Sequence, residues 1–286
     1  MNFWRELFDP DEPESYGQKV QSFVFEAVVV LRAQYELWSW TDIIPLQPGI
    51  PKPAGIARFI DVSFMIDAFA ASANAAFASL FLLLGLTRRL RFGYLLGFLS
   101  FHLQYVARFG LGKVQHSTNM LGFAMLALAL AHLAYSDPVL RRKASVGLTV
   151  LLFCAGYSFA AYAKWRAKGL RWADGHHLWL WVREKRLDVL AASGRPQVNF
   201  VQKLVLKNVY IATFFLAGGL LAETASSLLW WRRVRRWIML ALAAMHMGIA
   251  DVMKIHFVPN VLILLALGLP IAELVEHLRA RRAAAA

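Results

Sequence analysis

Long apolar runs, separated by short and mostly basic breaks, organise the whole chain. Several of these runs extend for about 18 residues or more with few charges, enough to cross a hydrocarbon core of roughly 30 Å. The pattern predicts eight membrane-embedded helices, near 19–39, 59–86, 92–107, 117–135, 145–164, 203–230, 237–251 and 257–277. It is plainest in the second, fifth, sixth and eighth. The first carries Glu26, Arg32 and Glu36, so it tilts, lies at the interface, or buries these groups inside a bundle. No internal repeat, low-complexity tract or separate soluble domain interrupts the series. The expected fold is all-α: a polytopic membrane helical bundle in one domain over 1–286, with its helices within 18–270. A long, partly interfacial external loop is expected over 165–202, and the alanine-rich tail is expected to fray.

Composition agrees with a bilayer. The 286 residues are 58% hydrophobic, with 20 Phe and 10 Trp, and a soluble domain of that length needs more polar surface. The net charge of +13 does not point to nucleic acid, because the basic residues sit in short clusters between apolar runs. Arg88, Arg89 and Arg91 follow the second predicted helix, and Arg141, Arg142 and Lys143 the fourth. Arg232, Arg233, Arg235 and Arg236 follow the sixth, and Arg279, Arg281 and Arg282 the eighth. Compact basic clusters after every even helix place both termini in the cytoplasm. The segment 165–202 is also basic yet falls outside by this count; long segments obey the charge rule weakly. The acidic start "MNFWRELFDPDEPESYGQ" has no apolar core, so no cleavable signal is expected. A lone Cys154 excludes an intramolecular disulfide and any CxxC chemistry.

With that parity, the unusual polar residues gather at the external helix ends: Arg108, His116, Asn119, Lys164, His176, His246, Asp251, Lys254 and His256. Ionisable groups at membrane depth are expensive and suggest function. In "GKVQHSTNMLGF", His116 and Asn119 are three apart at a helix start, with Ser117 or Thr118 able to cap it. His116 there is either a headgroup-level residue or a functional one. In "SFAAYAKWRAKGLRW", Lys164 closes an apolar helix, and Tyr157, seven residues earlier, shares its face. Lys164 either snorkels to the interface or is a desolvated amine able to act as a base. In "ALAAMHMGIADVMKIHFVPN", His246 and Met253 share a face, and Asp251 and Lys254 can pair. A single His–X9–His spacing, without HxxxH or CxxC, does not make a metal site, so none is assigned. Glu223, in "AGGLLAETASSLLWW", needs a partner or a proton inside its apolar helix, for packing or for catalysis. Asp61 and Asp67, six apart, do not share a face, and the adjacent His176 and His177 diverge. No G-x-S-x-G, P-loop or dinucleotide fingerprint occurs.

Taken in order, "QHSTN", "YSFAAYAKW…LRWADG", "GGLLAETASSLL" and "MHMGIADVMKIHFVPN" resemble the HTTM family over roughly 18–270. That family includes vitamin K-dependent γ-carboxylase and many bacterial membrane proteins. The resemblance implies a site where a lysine deprotonates a reduced naphthoquinone, which reacts with oxygen to give a strong base. That base takes a proton from a glutamate γ-carbon, and CO2 is added. By the resemblance, Lys164 matches the base and His116 the histidine that assists it. Asn119, Tyr157, Trp172 and His246 are the residues expected to hold the quinol. The interval "WRAKGLR" between Lys164 and Trp172 is longer than in the carboxylase. The carboxylase also carries a large extramembrane region, whereas this chain stops at Ala286, so a quinol site is better supported than γ-carboxylation itself. A bacterial inner-membrane protein is implied, with the bilayer, a quinol and a small protein or peptide substrate as partners. Two other readings stay open: a non-catalytic module for maturation or export of a partner peptide, and a proton or organic-ion transporter motivated by Glu26, Glu223 and Asp251.

Overall fold

The computed structural model describes residues 3–8, 12–43, 55–111, 117–195 and 198–285. The described residues form twelve α-helices joined by turns and short 3-10 segments, with no strand among them. In chain order they are α1 (Phe3–Phe8), α2 (Tyr16–Ile43), α3 (Ala68–Leu86), α4 (Gly93–Gly110), α5 (Ser117–Ala134) and α6 (Pro138–Lys168). Then come α7 (Gly175–Ser193), α8 (Phe200–Lys207), α9 (Val209–Ala225), α10 (Arg232–Met253), α11 (Val258–Gly268) and α12 (Ile271–Ala285). By length and composition, Ala68–Leu86, Pro138–Ala173, Val209–Leu228 and Arg232–Met253 can cross a membrane. Val258–Gly268 and Ile271–Ala285 qualify as a fifth span if taken as one bent pair. Apolar side chains such as Phe69, Phe159 and Phe214 stand exposed on these helices, as a lipid-facing surface requires. The pattern is that of a multi-pass membrane protein.

Each of the eight predicted segments contains helix, but three are interrupted. In the second, α3 begins only at Ala68, after a 3-10 turn at Ser63–Ile66, where Asp67 caps it by accepting from the Ala70 N–H. The sixth breaks at Asn208, whose side chain accepts from the Tyr210 N–H and so starts α9 afresh. The eighth breaks between Gly268 and Ile271, where Pro270 has no N–H to continue the ladder. The stretch expected as a long loop over 165–202 is largely helical. Asp174 caps the start of α7, and Gly194, at φ 68°, closes its end in the left-handed region that glycine adopts freely.

The chain divides into two compact units, Met1–Leu152 with Pro270–Ala286, and Phe153–Leu269. In the first, α2 is a central rod: Phe25, Val29, Val30, Ala33 and Leu37 are fully buried at helical spacing. Buried amides tie it to its neighbours. Gln104 of α4 donates to the Leu37 carbonyl at 3.0 Å, and Asn74 of α3 donates to the Ser100 carbonyl at 2.9 Å. Glu26, 1% exposed, accepts from Arg88 at 2.8 Å and from the Tyr94 hydroxyl at 2.9 Å. Arg88 also reaches His132 Nε2 at 2.8 Å; because a guanidinium only donates, that ring nitrogen accepts. Arg88 stands at φ 62°, left-handed for a non-glycine residue, at the turn that closes α3. The acidic N-terminal segment meets the basic start of α6 through the Glu14–Arg142 ion pair. Arg91 donates to the Leu133 carbonyl at 2.7 Å, satisfying the open end of α5.

Helices α3 and α4 approach closely through glycine. A Cβ on Gly93 would lie 2.5 Å from the Phe81 carbonyl oxygen and 2.6 Å from the Gly85 nitrogen, both backbone atoms that cannot swing aside. Gly93→Ala is therefore expected to destabilise the protein by about 2 kcal/mol, the usual scale of overpacking. Gly122→Ala, where a Cβ meets nothing within 4 Å, is expected to be neutral or slightly stabilising. Thermal unfolding of the two variants in detergent checks the contrast.

In the second unit, Leu178, Val182, Val205, Ala212 and Val252 form a core shared by α7, α8, α9 and α10. Side-chain amides close the end of α10. Asn199, which with Gln202 makes a capping box on α8, donates to the Asp251 carbonyl at 2.8 Å, and Gln202 donates to the Val252 carbonyl at 3.0 Å. Lys254 turns left-handed at φ 57° and leaves the helix, so Asp251 and Lys254 form no ion pair among the described residues.

Candidate functional site

The second unit carries a polar cluster inside an otherwise apolar helical frame. Tyr157 and Lys164 lie on one face of α6, and each meets an ionisable partner from another helix. Lys164 Nζ donates to Glu223 Oε2 of α9 and stands 4.5 Å from the centroid of the Trp172 ring. The Tyr157 hydroxyl lies 2.7 Å from His246 Nε2 of α10. The Lys164 charge acts on the His246 ring and the Glu223 charge on the Tyr157 hydroxyl, so the two pairs form one electrostatic neighbourhood. Phe257 packs on the other side of His246, ring centroids 4.7 Å apart.

Local sequence explains the assembly. Ala160 and Ala161 separate Tyr157 from Lys164 on α6, and small residues let a neighbouring helix approach. Helix α6 meets the last turn of α9 and the 3-10 segment that follows it through polar contacts: Trp165 Nε1 donates to Thr224 Oγ1 at 3.0 Å, and the Ser158 and Ser226 hydroxyls are 3.5 Å apart. Cys154 Sγ lies 3.7 Å from the Ser227 carbonyl oxygen in the same series, a packing position. The Lys164–Glu223 pair leaves no net charge at this depth, which is how ionisable groups are tolerated in membrane helices.

Two polar atoms of the cluster are buried without a partner among the described residues: His246 Nδ1 and Asn260 Oδ1. Asn260, 3% exposed at the start of α11, also interacts with the Tyr157 hydroxyl. With Tyr157 donating to Nε2, the ring proton of a neutral His246 sits on Nδ1. The cluster then presents one free donor and one free acceptor. A hydroxyl group, which donates once and accepts, matches that pair.

Of the residues singled out from the sequence, Lys164, Tyr157, Trp172 and His246 come together here. Asn119 belongs to the first unit, where it accepts from the Tyr105 hydroxyl. His116 lies outside the described residues. Sequence reasoning left the role of Glu223 open and did not single out Asn260, although "FVPN" places a polar side chain directly after the proline that opens α11. The partner that Lys164 meets is the Glu223 carboxylate. His176 and His177 diverge as adjacent helical residues do, to Asp174 at 2.7 Å and to Lys168 at 3.3 Å. In the exposed segment around them, the Asp174 carboxyl is held below its usual range by the hydrogen bonds it accepts from His176.

Compared with protein-family models, with curated proteins and with solved structures, the chain matches none.

Proposed function

We propose that the chain is an HTTM-like integral-membrane enzyme in which the Lys164–Glu223 pair takes a proton from a hydroxyl of a lipid-soluble quinol. One observation carries this reading: Lys164 and Tyr157 share a helix face and are met by Glu223 and His246 from two other helices. Ammonium–carboxylate and amine–carboxylic acid forms of that pair differ only in which end of one hydrogen bond holds the proton. A proton acceptor of this kind needs no net charge at rest. The residues fit a reduced naphthoquinone, because its hydroxyl would complete His246 Nδ1 and Asn260 Oδ1, and Trp172 offers a flat aromatic face beside Lys164. When bound, that group supplies two electrons to oxygen. The chain's own part is to orient the hydroxyl with His246 and Asn260, to receive its proton at the Lys164 amine of the amine–carboxylic acid form, and to hold the resulting ammonium charge beside the oxyanion. Whether the chemistry continues to CO2 addition on a peptide, or stops at oxygen, belongs to the substrate. A bacterial inner membrane with both termini cytoplasmic is the setting that goes with this reading.

The ion pair also favours a second reading, a non-catalytic module for a partner peptide, in which Glu223 serves only to neutralise Lys164. The test is oxygen uptake by the purified protein in nanodiscs supplied with reduced naphthoquinone. The expected result is consumption that depends on the naphthoquinol. No uptake, with peptide maturation surviving Lys164→Ala, would replace the enzyme by the module; flux across liposomes without chemical conversion would replace it by a transporter.

A further inference from the structure

We propose that the first unit holds a second binding site, for a phosphate group, where Trp40 of α2 meets Arg108 in the last turn of α4. Both side chains are buried, Trp40 at 1% and Arg108 at 5% exposure. The guanidinium carbon sits 4.6 Å from the centroid of the Trp40 ring. Stacking occupies the face of the guanidinium and leaves its in-plane N–H groups to be satisfied elsewhere. They are not all satisfied: Arg108 Nη1 and Trp40 Nε1 are both buried without a partner among the described residues. Two adjacent buried donors lacking acceptors are a costly arrangement that a ligand with oxygen acceptors would relieve.

The neighbouring polar groups are already committed. Gln104 donates to the Leu37 carbonyl, Asn74 to the Ser100 carbonyl, and Tyr105 to Asn119. The one acidic group acting on Arg108 among the described residues is Glu36, and Glu36 is already ion-paired to Arg32. Arg32, Glu36 and Arg108 therefore sum to one uncompensated positive charge beside two free donors. An oxyanion supplies both the missing charge and the missing acceptors. A phosphate group, with several oxygens, can take Arg108 Nη1 and Trp40 Nε1 together, and a guanidinium is the usual side chain for that geometry. The phosphate can come from a lipid headgroup or from a soluble compound. This site uses none of the residues of the Lys164 cluster.

The test is binding to the full chain, delipidated in detergent, followed by native mass spectrometry. One arm adds phosphatidylglycerol vesicles and the other adds inorganic phosphate; the arm that binds identifies the source. Arg108→Gln is expected to weaken binding about tenfold, the loss of a charge-assisted contact. Trp40→Phe, which keeps the stacking ring and removes only the N–H, is expected to weaken it about threefold, as one neutral hydrogen bond does. Arg186→Gln, an exposed arginine on α7, is expected to change nothing. If Arg108→Gln fails to fold, Trp40→Phe decides alone. Failure of the unmodified chain to bind either probe, or equal binding by Trp40→Phe, would overturn the site.

Discussion

Lys164→Met is expected to lower the unfolding free energy by about 3 kcal/mol, the scale for stranding one member of a buried ion pair. Glu223 is 7% exposed, so its carboxylate would remain in the helical frame with its cation gone. Glu223→Gln should cost a similar amount for the converse reason. In the double variant Lys164→Met with Glu223→Gln, neither charge remains, and most of the loss should return. The quantity to measure is the coupling energy of the cycle, by denaturant unfolding in mixed micelles. Additive losses would mean that the two side chains do not hold each other. The double variant then separates chemistry from folding, because its frame is intact while the proton acceptor is absent.

The second large effect lies in the first unit. Glu26→Ala is expected to cost about 3–5 kcal/mol, since Arg88 would lose its only described carboxylate partner and Tyr94 its acceptor. Arg88 adds to the effect because its backbone is held at φ 62°. The side-chain contacts to Glu26 and His132 help hold that conformation, together with backbone hydrogen bonds of the turn such as Arg89 N–H to the Leu84 carbonyl at 2.9 Å. Pairing Glu26→Leu with Arg88→Gly should recover part of the loss, because glycine takes this φ without strain and no lone charge is left. A Glu26→Ala variant as stable as the unmodified protein would show that Glu26 does not organise this unit.

The helices were legible in the sequence because apolar run length reads directly as helix. The interruptions at Asn208 and Pro270 were present as a capping side chain and a missing N–H, but lay inside runs whose mean character was apolar. Helix α7 was hidden for the opposite reason: Trp179, Trp181 and Arg183 suggested an interfacial loop, whereas its buried face, Gly175, Leu178 and Val182, is only one residue wide per turn. Two indole N–H groups of this region serve helix ends, Trp179 donating to the Leu206 carbonyl and Trp181 to the Met253 carbonyl. The candidate site was legible by residue type and not by pairing. Lys164 and Glu223 are 59 residues apart and Tyr157 and His246 are 89 apart, so periodicity places each on a face and says nothing of what that face meets. Glu26 was visible as an awkward charge in the first helix, while its partners Arg88 and Tyr94, and the His132 ring that Arg88 also meets, come from later parts of the chain.

Oxygen uptake with reduced naphthoquinone, measured on the Lys164→Met, Glu223→Gln double variant beside the unmodified protein in nanodiscs, bears most directly on the proposed proton acceptor. The expected result is a folded variant whose uptake falls at least a hundredfold, the scale of losing a general base. Equal rates in the two proteins would contradict it and leave the ion pair a purely structural device.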